Sequence, residues 1–503
     1  MKTLQRSSMH QYQDVAVEFI RDKRRCISML DLGLGKSIST ATAVLDLLNG
    51  FQANRVLIVA PKMVSQFSWP SEFRKWQHLN HLSITTRDEL VAVKKDSDPR
   101  YAHTKRVNRK QREILKEDPH NEVAGKLFRQ TTTWLRNFHR DKIERLITDV
   151  TIVNVDVFSW LVETMRSRWS WDTVIVDESG AFKTHDSGRF RAFERAMPYI
   201  DNVILLTATP APNGYLNLWS QVYMVDAGER LGSSFTAYRD NYFETDYSGF
   251  KYVLRKGMKA IIDAKIADIC IAIGAGDELD LHDEVFEDII LDLPPKLRAT
   301  YDELEKEFYL SLPEGDVDVE TMAILSNKLR QFCSGSVFAS DEDRTVLQVH
   351  NLKVNALKDI VEATGERPII VGYGYIPERD KIIKAFGGEP TVMTSKTFDQ
   401  VQWDQGNVPM LVAHPASMGH GVSLQEATNL MVWFTLPWNL EHYLQFMGRI
   451  NPVRQAQSGF NRPSIYYRIY FRDTIEERVI EALADKRQTQ DGLLEAIRNS
   501  RPT

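Results

Sequence analysis

The chain has 503 residues and a formal net charge of −5, with 26% charged and 43% hydrophobic residues. That length predicts roughly two to four domains of about 100–200 residues each, and the composition, ordinary for a globular protein, excludes a low-complexity chain. Cys26, Cys270 and Cys333 lie far apart, which excludes a disulfide framework or metal-type spacing and points to a reducing, cytoplasmic compartment. The N-terminal segment lacks a signal-peptide core, and no run reaches the roughly 20 apolar residues of a membrane span, so no membrane partner is expected.

In chain order, RCISML (25–30) predicts a buried strand and SISTATAVLDLLNG (37–50) a helix ended by Gly50. RVLIVAP (55–61) predicts a second strand. A basic segment from Val93 to Lys116 follows, either a solvated helical hairpin or a surface for an anionic partner. VTIVNV (150–155), DTVIVDE (172–178) and NVILLTATP (202–210) continue the series of buried parallel strands. Residues 216–295 are mixed, rich in aromatic and charged side chains. LPPKLRATYDELEKEFYLSL (293–312) predicts a proline-led amphipathic helix. RPIIVGY (367–373), PMLVAHP (409–415), NLMVWFTLP (429–437) and SIYYRIYF (464–471) repeat the strand pattern. The alternation predicts two α/β lobes with parallel sheets flanked by helices.

Chemistry is written at the strand ends. In DLGLGKS (31–37), Gly33, Leu34 and Gly35 lie between a strand and a helix, where glycines let backbone N–H groups approach phosphate oxygens. Lys36 is placed to reach the β and γ phosphates of a nucleotide and Ser37 to bind Mg²⁺. The full phosphate-loop pattern is not met, because Leu30 stands where its first glycine belongs. In VIVDES (174–179), Asp177 is suited to hold Mg²⁺ and Glu178 to activate water. Together these predict hydrolysis of a nucleoside triphosphate. Thr207 and Thr209, in LLTATPAPN (205–213), sit where a nucleotide state is passed to a bound polymer.

The series resembles the motifs of helicase superfamily two, specifically the Swi/Snf-type double-stranded DNA translocases, over about residues 10 to 485. HQYQDVAVEF (10–19) resembles the opening motif, with Gln13 placed to read adenine, and DLGLGKS resembles motif I. VLIVAPKMVSQFSW (56–69), with Lys62, resembles motif Ia, and TIVNVDVFS (151–159) resembles motif Ib. DESG (177–180) and TATP (207–210) resemble motifs II and III. LSNKLRQFCSG (325–335) resembles the helix before the second lobe, and RPIIVGYGY (367–375) resembles motif IV. HPASMGHGVSLQEA (414–427), with Gly419 and Gly421, resembles motif V, and LPWNLEHYLQFMGRINPVRQ (436–455), with Gln445 and Arg449, resembles motif VI. The compact layout looks most like phage and bacterial members.

The resemblance implies two tandem RecA-like lobes with helical insertions: lobe one over 1–215, with a basic insertion at about 90–147; a helical insertion or linker over 216–295; and lobe two over 296–503. It also implies ATP and Mg²⁺ as cofactors, a monomeric motor, and sequence-independent contact with the double-stranded DNA backbone, forked or branched DNA included. The alternatives are a strand-separating or branch-migrating helicase, an RNA-dependent ATPase, and an ATP-switched protein acting on a partner protein.

Three departures matter. Gly180 removes a side chain that relatives use to link nucleotide and motif VI. Pro452 occupies the second arginine's place, leaving Arg449 and Arg454 as candidate arginine fingers. The basic insertion is longer than in many relatives, which raises a DNA-contacting or regulatory role for it.

Overall fold

The computed structural model describes residues 3–500 apart from 96–97, 213, 247–251, 280, 311–318, 339–344, 366, 389–390, 419–421 and 461. Two compact units divide the chain: Met1–Gly274 with Gly492–Thr503, and Ala275–Asp491.

In the first unit, seven parallel strands form one sheet: β1 (Arg25–Leu30), β2 (Val56–Ala60), β3 (Ile84–Thr85), β4 (Val150–Asn154), β5 (Thr173–Asp177), β6 (Asn202–Leu206) and β7 (Cys270–Ile273). Their spatial order is β3-β4-β2-β5-β6-β1-β7. Every residue of β2, β4, β5 and β6 is buried, which is why these strands read as unbroken apolar runs. Alternate residues feed two cores: Ile27, Leu57, Val153, Val174 and Leu205 on one face, Cys26, Ile58, Ile152, Ile175 and Ile204 on the other. Helices α1 (Gln11–Lys23), α2 (Lys36–Asn49) and α3 (Trp69–Lys75) belong to this unit.

The basic insertion is a helical hairpin of α4 (Pro99–Glu117) and α5 (Glu122–Leu146). Asp98 caps α4, accepting from Arg100 N–H at 2.8 Å, with Pro99 in the first helical position. Asn121 caps α5 through Ala124 N–H at 2.9 Å. Trp134 stacks on Phe138, Phe138 on Tyr101, and His139 meets Trp160 edge-on. This aromatic ladder, with Lys94 Nζ 3.9 Å from the Trp160 ring centre, seats the hairpin on the lobe.

The stretch 216–295, expected as an insertion or linker, is shared between the units. Helix α6 (Leu218–Asp226) and β7 lie in the first, and β8 (Glu284–Leu291) lies in the second. The boundary falls after Gly274, and Gly492–Thr503 returns to the first unit, burying Leu493, Leu494 and Ile497 in its core.

In the second unit, six parallel strands run in the order β8-β13-β12-β9-β11-β10, with β9 (Ile369–Gly372), β10 (Val392–Thr394), β11 (Met410–Ala413), β12 (Leu430–Trp433) and β13 (Ser464–Phe471). Both units are α/β lobes built on parallel sheets, as the alternation of strands and helices predicted. Helices α7 (Leu440–Met447) and α8 (Pro452–Gln457) follow β12, and α9 (Ile475–Asn499) follows β13. The expected helix over 293–312 spans Pro295–Leu310.

Charges buried in this lobe hold the chain just after β12. Lys353 Nζ donates to the Phe434 carbonyl at 2.7 Å and pairs with Glu476 at 2.5 Å, with side-chain exposures of 0% and 5%. Glu378 accepts from Gly374 N–H and Thr435 Oγ1, and Arg330 donates to the Leu436 carbonyl. All three cysteines are free and buried; burial pushes the Cys26 thiol up to about 12 and raises those of Cys270 and Cys333 well above the ordinary thiol range.

Lys353→Met strands the Glu476 carboxylate in the core and is expected to lower stability by about 3–5 kcal/mol. Denaturant unfolding checks this, and adding Glu476→Gln should recover part of the loss.

Candidate active site

Strands β2, β5, β6 and β1 are neighbours, and their carboxyl ends deliver Lys62, Asp177–Glu178, Thr207–Thr209 and residues 31–37 to one edge of the sheet. Ligands of open parallel sheets bind at this edge.

The loop after β1 is shaped by Gly33 and Gly35, with φ of +98° and +79°. A Cβ at Gly35 would lie 2.3 Å from Gln13 Nε2, so both conformation and space require glycine there. Gln13 is fixed inside the protein. Its Nε2 donates to the Leu34 carbonyl at 3.1 Å and its Oε1 accepts from His10 N–H at 2.9 Å, tying α1 to the loop. Helix α2 starts at Lys36, with half-buried Ser37 in its first turn. The Lys36 ammonium is buried and has no hydrogen-bond partner among the described residues. An unpaired buried cation, at a helix head and behind two left-handed glycines, is a receptor for phosphate.

Asp177 is the buried last residue of β5. Burial pushes its carboxyl up to about 6, and Glu178 pushes the same way; the Lys36 ammonium and the Trp69 N–H pull it down. Trp69, fully buried at the start of α3, donates through Nε1 to Asp177 Oδ2 at 2.9 Å. Glu178 takes φ +54°, a left-handed conformation that costs a non-glycine residue about 1–2 kcal/mol. Thr207 Oγ1 accepts from Thr209 N–H at 2.9 Å, while the buried Thr209 hydroxyl has no partner among the described residues.

A bridge links motifs II and III beside Gly180. Ser179 Oγ donates to Gln221 Oε1 at 2.6 Å, and Gln221 Nε2 donates to the Pro210 carbonyl at 2.7 Å. Ser179 and Gln221 are wholly buried. Sequence reading missed Gln221 and Trp69. Both lie on helices, where a polar atom shows its use only through its partner.

In the second lobe, Asn451 caps α8 by accepting from Arg454 N–H at 3.1 Å, and Pro452 fills the first helical position. The proline thus starts a helix where an arginine was expected. Arg449 is 5% exposed and donates to the Val422 carbonyl at 3.1 Å. Arg454 is partly exposed at the surface but closely surrounded, so burial lowers its guanidinium pKa, and its side chain makes no hydrogen bond among the described residues. Gln445 is buried, donating weakly to Glu441 at 3.4 Å, and Gln455 is bound to the Thr428 and Ile450 carbonyls. Gly419 and Gly421 lie outside the described residues. Lys62 is exposed, as are Met63 and Phe67 nearby.

A family model for the SNF2-related domain matches residues 10–264. The chain is similar to putative protein p41 of Acyrthosiphon pisum secondary endosymbiont phage 1, with 31% identity over 97% of this chain and 98% of that protein. An uncharacterized ATP-dependent helicase of Mycoplasma pneumoniae is 24% identical over 96% of this chain and 42% of its own length, so the chain spans less than half of that relative. Among solved structures, the Sulfolobus solfataricus SWI2/SNF2 ATPase core in complex with dsDNA is 17% identical, covering 97% of this chain and 93% of that one, with a TM-score of 0.41. The chain belongs to the SNF2-related family. Its place is thus among the DNA-dependent ATPases of helicase superfamily two.

Two outcomes follow from the geometry. The Asp177 carboxyl ionises at higher pH in the folded state than in the unfolded chain, so the nucleotide-free protein loses about 1–3 kcal/mol as pH rises from about 4 through 6. Asp177→Asn should therefore melt higher than wild type at pH 7.5 without metal; equal or lower melting would contradict this account. Gln221→Leu should cost about 1–3 kcal/mol by leaving Ser179 and the Pro210 carbonyl unpaired. Combining it with Ser179→Ala should cost less than the sum of the two separate losses.

Proposed function

We propose that this protein hydrolyses ATP to move along double-stranded DNA, remodelling DNA or the proteins bound to it. The observation that carries the nucleotide reading is the Lys36 ammonium, buried and unpartnered at the head of α2. The residues present fit MgATP: the glycine-shaped loop and Lys36 take the phosphates, and Ser37 and Asp177 are the oxygen ligands for Mg²⁺. When bound, the ion neutralises phosphate charge. Glu178, poised at the end of β5 in a left-handed turn, accepts the proton of the attacking water. Gln13 acts on the nucleotide side by holding Leu34 and Gly35 in place.

Of the two candidate fingers, we assign Arg454. Arg449 donates to the Val422 carbonyl of motif V, whereas the Arg454 side chain, on the short helix that Pro452 begins, makes no hydrogen bond among the described residues. The DNA reading is supported by family membership and by exposed Lys62 at the carboxyl edge of the first sheet, with Thr207 and Thr209 between it and the nucleotide loop. Contact through phosphates is independent of sequence and weakens steeply with salt.

The test is ATP turnover without nucleic acid and with single-stranded DNA, duplex DNA and RNA, at low and high salt. Duplex DNA should stimulate most, and high salt should remove the stimulation. Lys36→Ala should abolish turnover in a folded protein, and Glu178→Gln should bind ATP without hydrolysing it. Arg454→Ala should lower kcat by about 10³-fold or more with little change in nucleotide affinity. Normal turnover by Lys36→Ala would overturn the nucleotide site. Absence of stimulation by any polymer would favour the ATP-switched protein instead.

A further inference from the structure

Charge along the chain is sharply divided. Residues 99–146, the α4–α5 hairpin, hold 13 Lys and Arg against 6 Asp and Glu, a net of +7 within a chain whose net charge is −5. The hairpin therefore opposes a remainder that sums to −12.

The excess is ordered. Lys105, Arg109, Arg112 and Lys116 stand at i, i+4, i+7 and i+11 on α4, one side of the helix, and all four are exposed. At 1.5 Å per residue the stripe is about 16 Å long. Its neighbouring side is fixed to α5: Asn108 Nδ2 donates to the Thr131 and Thr132 hydroxyls at 2.9 and 2.8 Å, and Tyr101 is buried against Phe138. Caps at both helix starts and the aromatic ladder at the base make the hairpin a rigid carrier. Among the described residues the stripe has one ion pair, Arg109 with Glu113 at 3.7 Å, and both side chains are largely exposed. Lys105 Nζ also donates to the Lys94 carbonyl at 3.3 Å while remaining at the surface.

We infer that this face of α4 binds the phosphate backbone of a DNA duplex, as a surface separate from the sheet-edge motifs. The inference rests on the DNA-motor reading above and extends it. Charge complementarity selects the occupant. The cations recur every turn along a stiff rod, matching a regular row of phosphates. Protein interfaces depend on central aromatic or apolar anchors, and the hairpin's exposed large hydrophobics among the described residues, Val123 and Trp134, are both on α5 rather than on the stripe. Arg and Lys on a surface without apolar anchors bind by position and charge, and so without sequence preference.

The experiment replaces Lys105, Arg109, Arg112 and Lys116 together by glutamine in the full chain, a change compatible with the helix. Affinity for a mixed-sequence duplex is measured by fluorescence anisotropy across about 50–200 mM salt, with melting temperature and DNA-independent ATP turnover as controls. Both controls should match the parent. The slope of log affinity against log salt should become shallower by about 0.9 for each phosphate that is no longer neutralised, or about 3–4 for the four cations together, with at least about tenfold weaker binding at the low-salt end. A variant with the parent's duplex affinity and slope would overturn the inference, and so would a variant that loses binding only to polyglutamate, which would assign the face to an acidic protein. If the parent itself is not stimulated by duplex DNA, the motor reading fails; if it is stimulated and the variant binds unchanged, only the hairpin assignment fails.

Discussion

A lysine ammonium shut away from water without an acceptor, beside a carboxyl that burial keeps partly protonated, is the arrangement on which the first lobe turns. Neither group gains from the fold as it stands, and each unpaired or desolvated charge costs free energy. What holds them is rigid surroundings. Fully buried strands fix the starting points of the loops, Gln13 and Gly35 interlock to set the path of the phosphate loop, and the Trp69 indole orients Asp177. Strain at Glu178 belongs with these. A ligand that supplies anionic oxygens to Lys36 and a cation to Asp177 relieves both terms together, which stabilises the ligand-bound lobe.

The second lobe meets a related demand differently. Four of its buried charged residues are satisfied: Lys353, Glu476, Glu378 and Arg330 each have partners, which tie down the backbone around 434–436. A satisfied network of this sort gives a loop one geometry. The helix beginning at Pro452 has its own cap and first-position proline, so the altered motif is locally well formed.

Much of this was legible in the sequence, and the reasons for the rest are physical. Central strands such as Val56–Ala60 and Asn202–Leu206 are buried on both faces and announce themselves as apolar runs. Glu284–Leu291 does not, because it is an edge strand paired on one side, with Glu284, Glu287 and Asp288 interrupting its apolar residues. Cys270–Ile273 is four residues long and sits in a stretch rich in aromatic and charged residues, which hid the seventh strand. At the site, glycines, lysine and paired carboxylates are visible as types at strand ends. Gln221 is not, since its value lies in joining Ser179 to the Pro210 carbonyl, residues distant in sequence. The choice between Arg449 and Arg454 likewise needed the Val422 carbonyl that occupies the former.

The buried cysteines have a use of another kind. Cys26 and Cys270 lie on the adjoining strands β1 and β7, and Cys333 lies in the second lobe. With every thiol sealed in a core and its thiolate suppressed, alkylating reagents gain access only when the surrounding lobe opens. The chain thus carries one native reporter set for each lobe. Modification rates at Cys26 and Cys270, compared with that at Cys333, time the breathing of the two halves separately, in the unaltered protein.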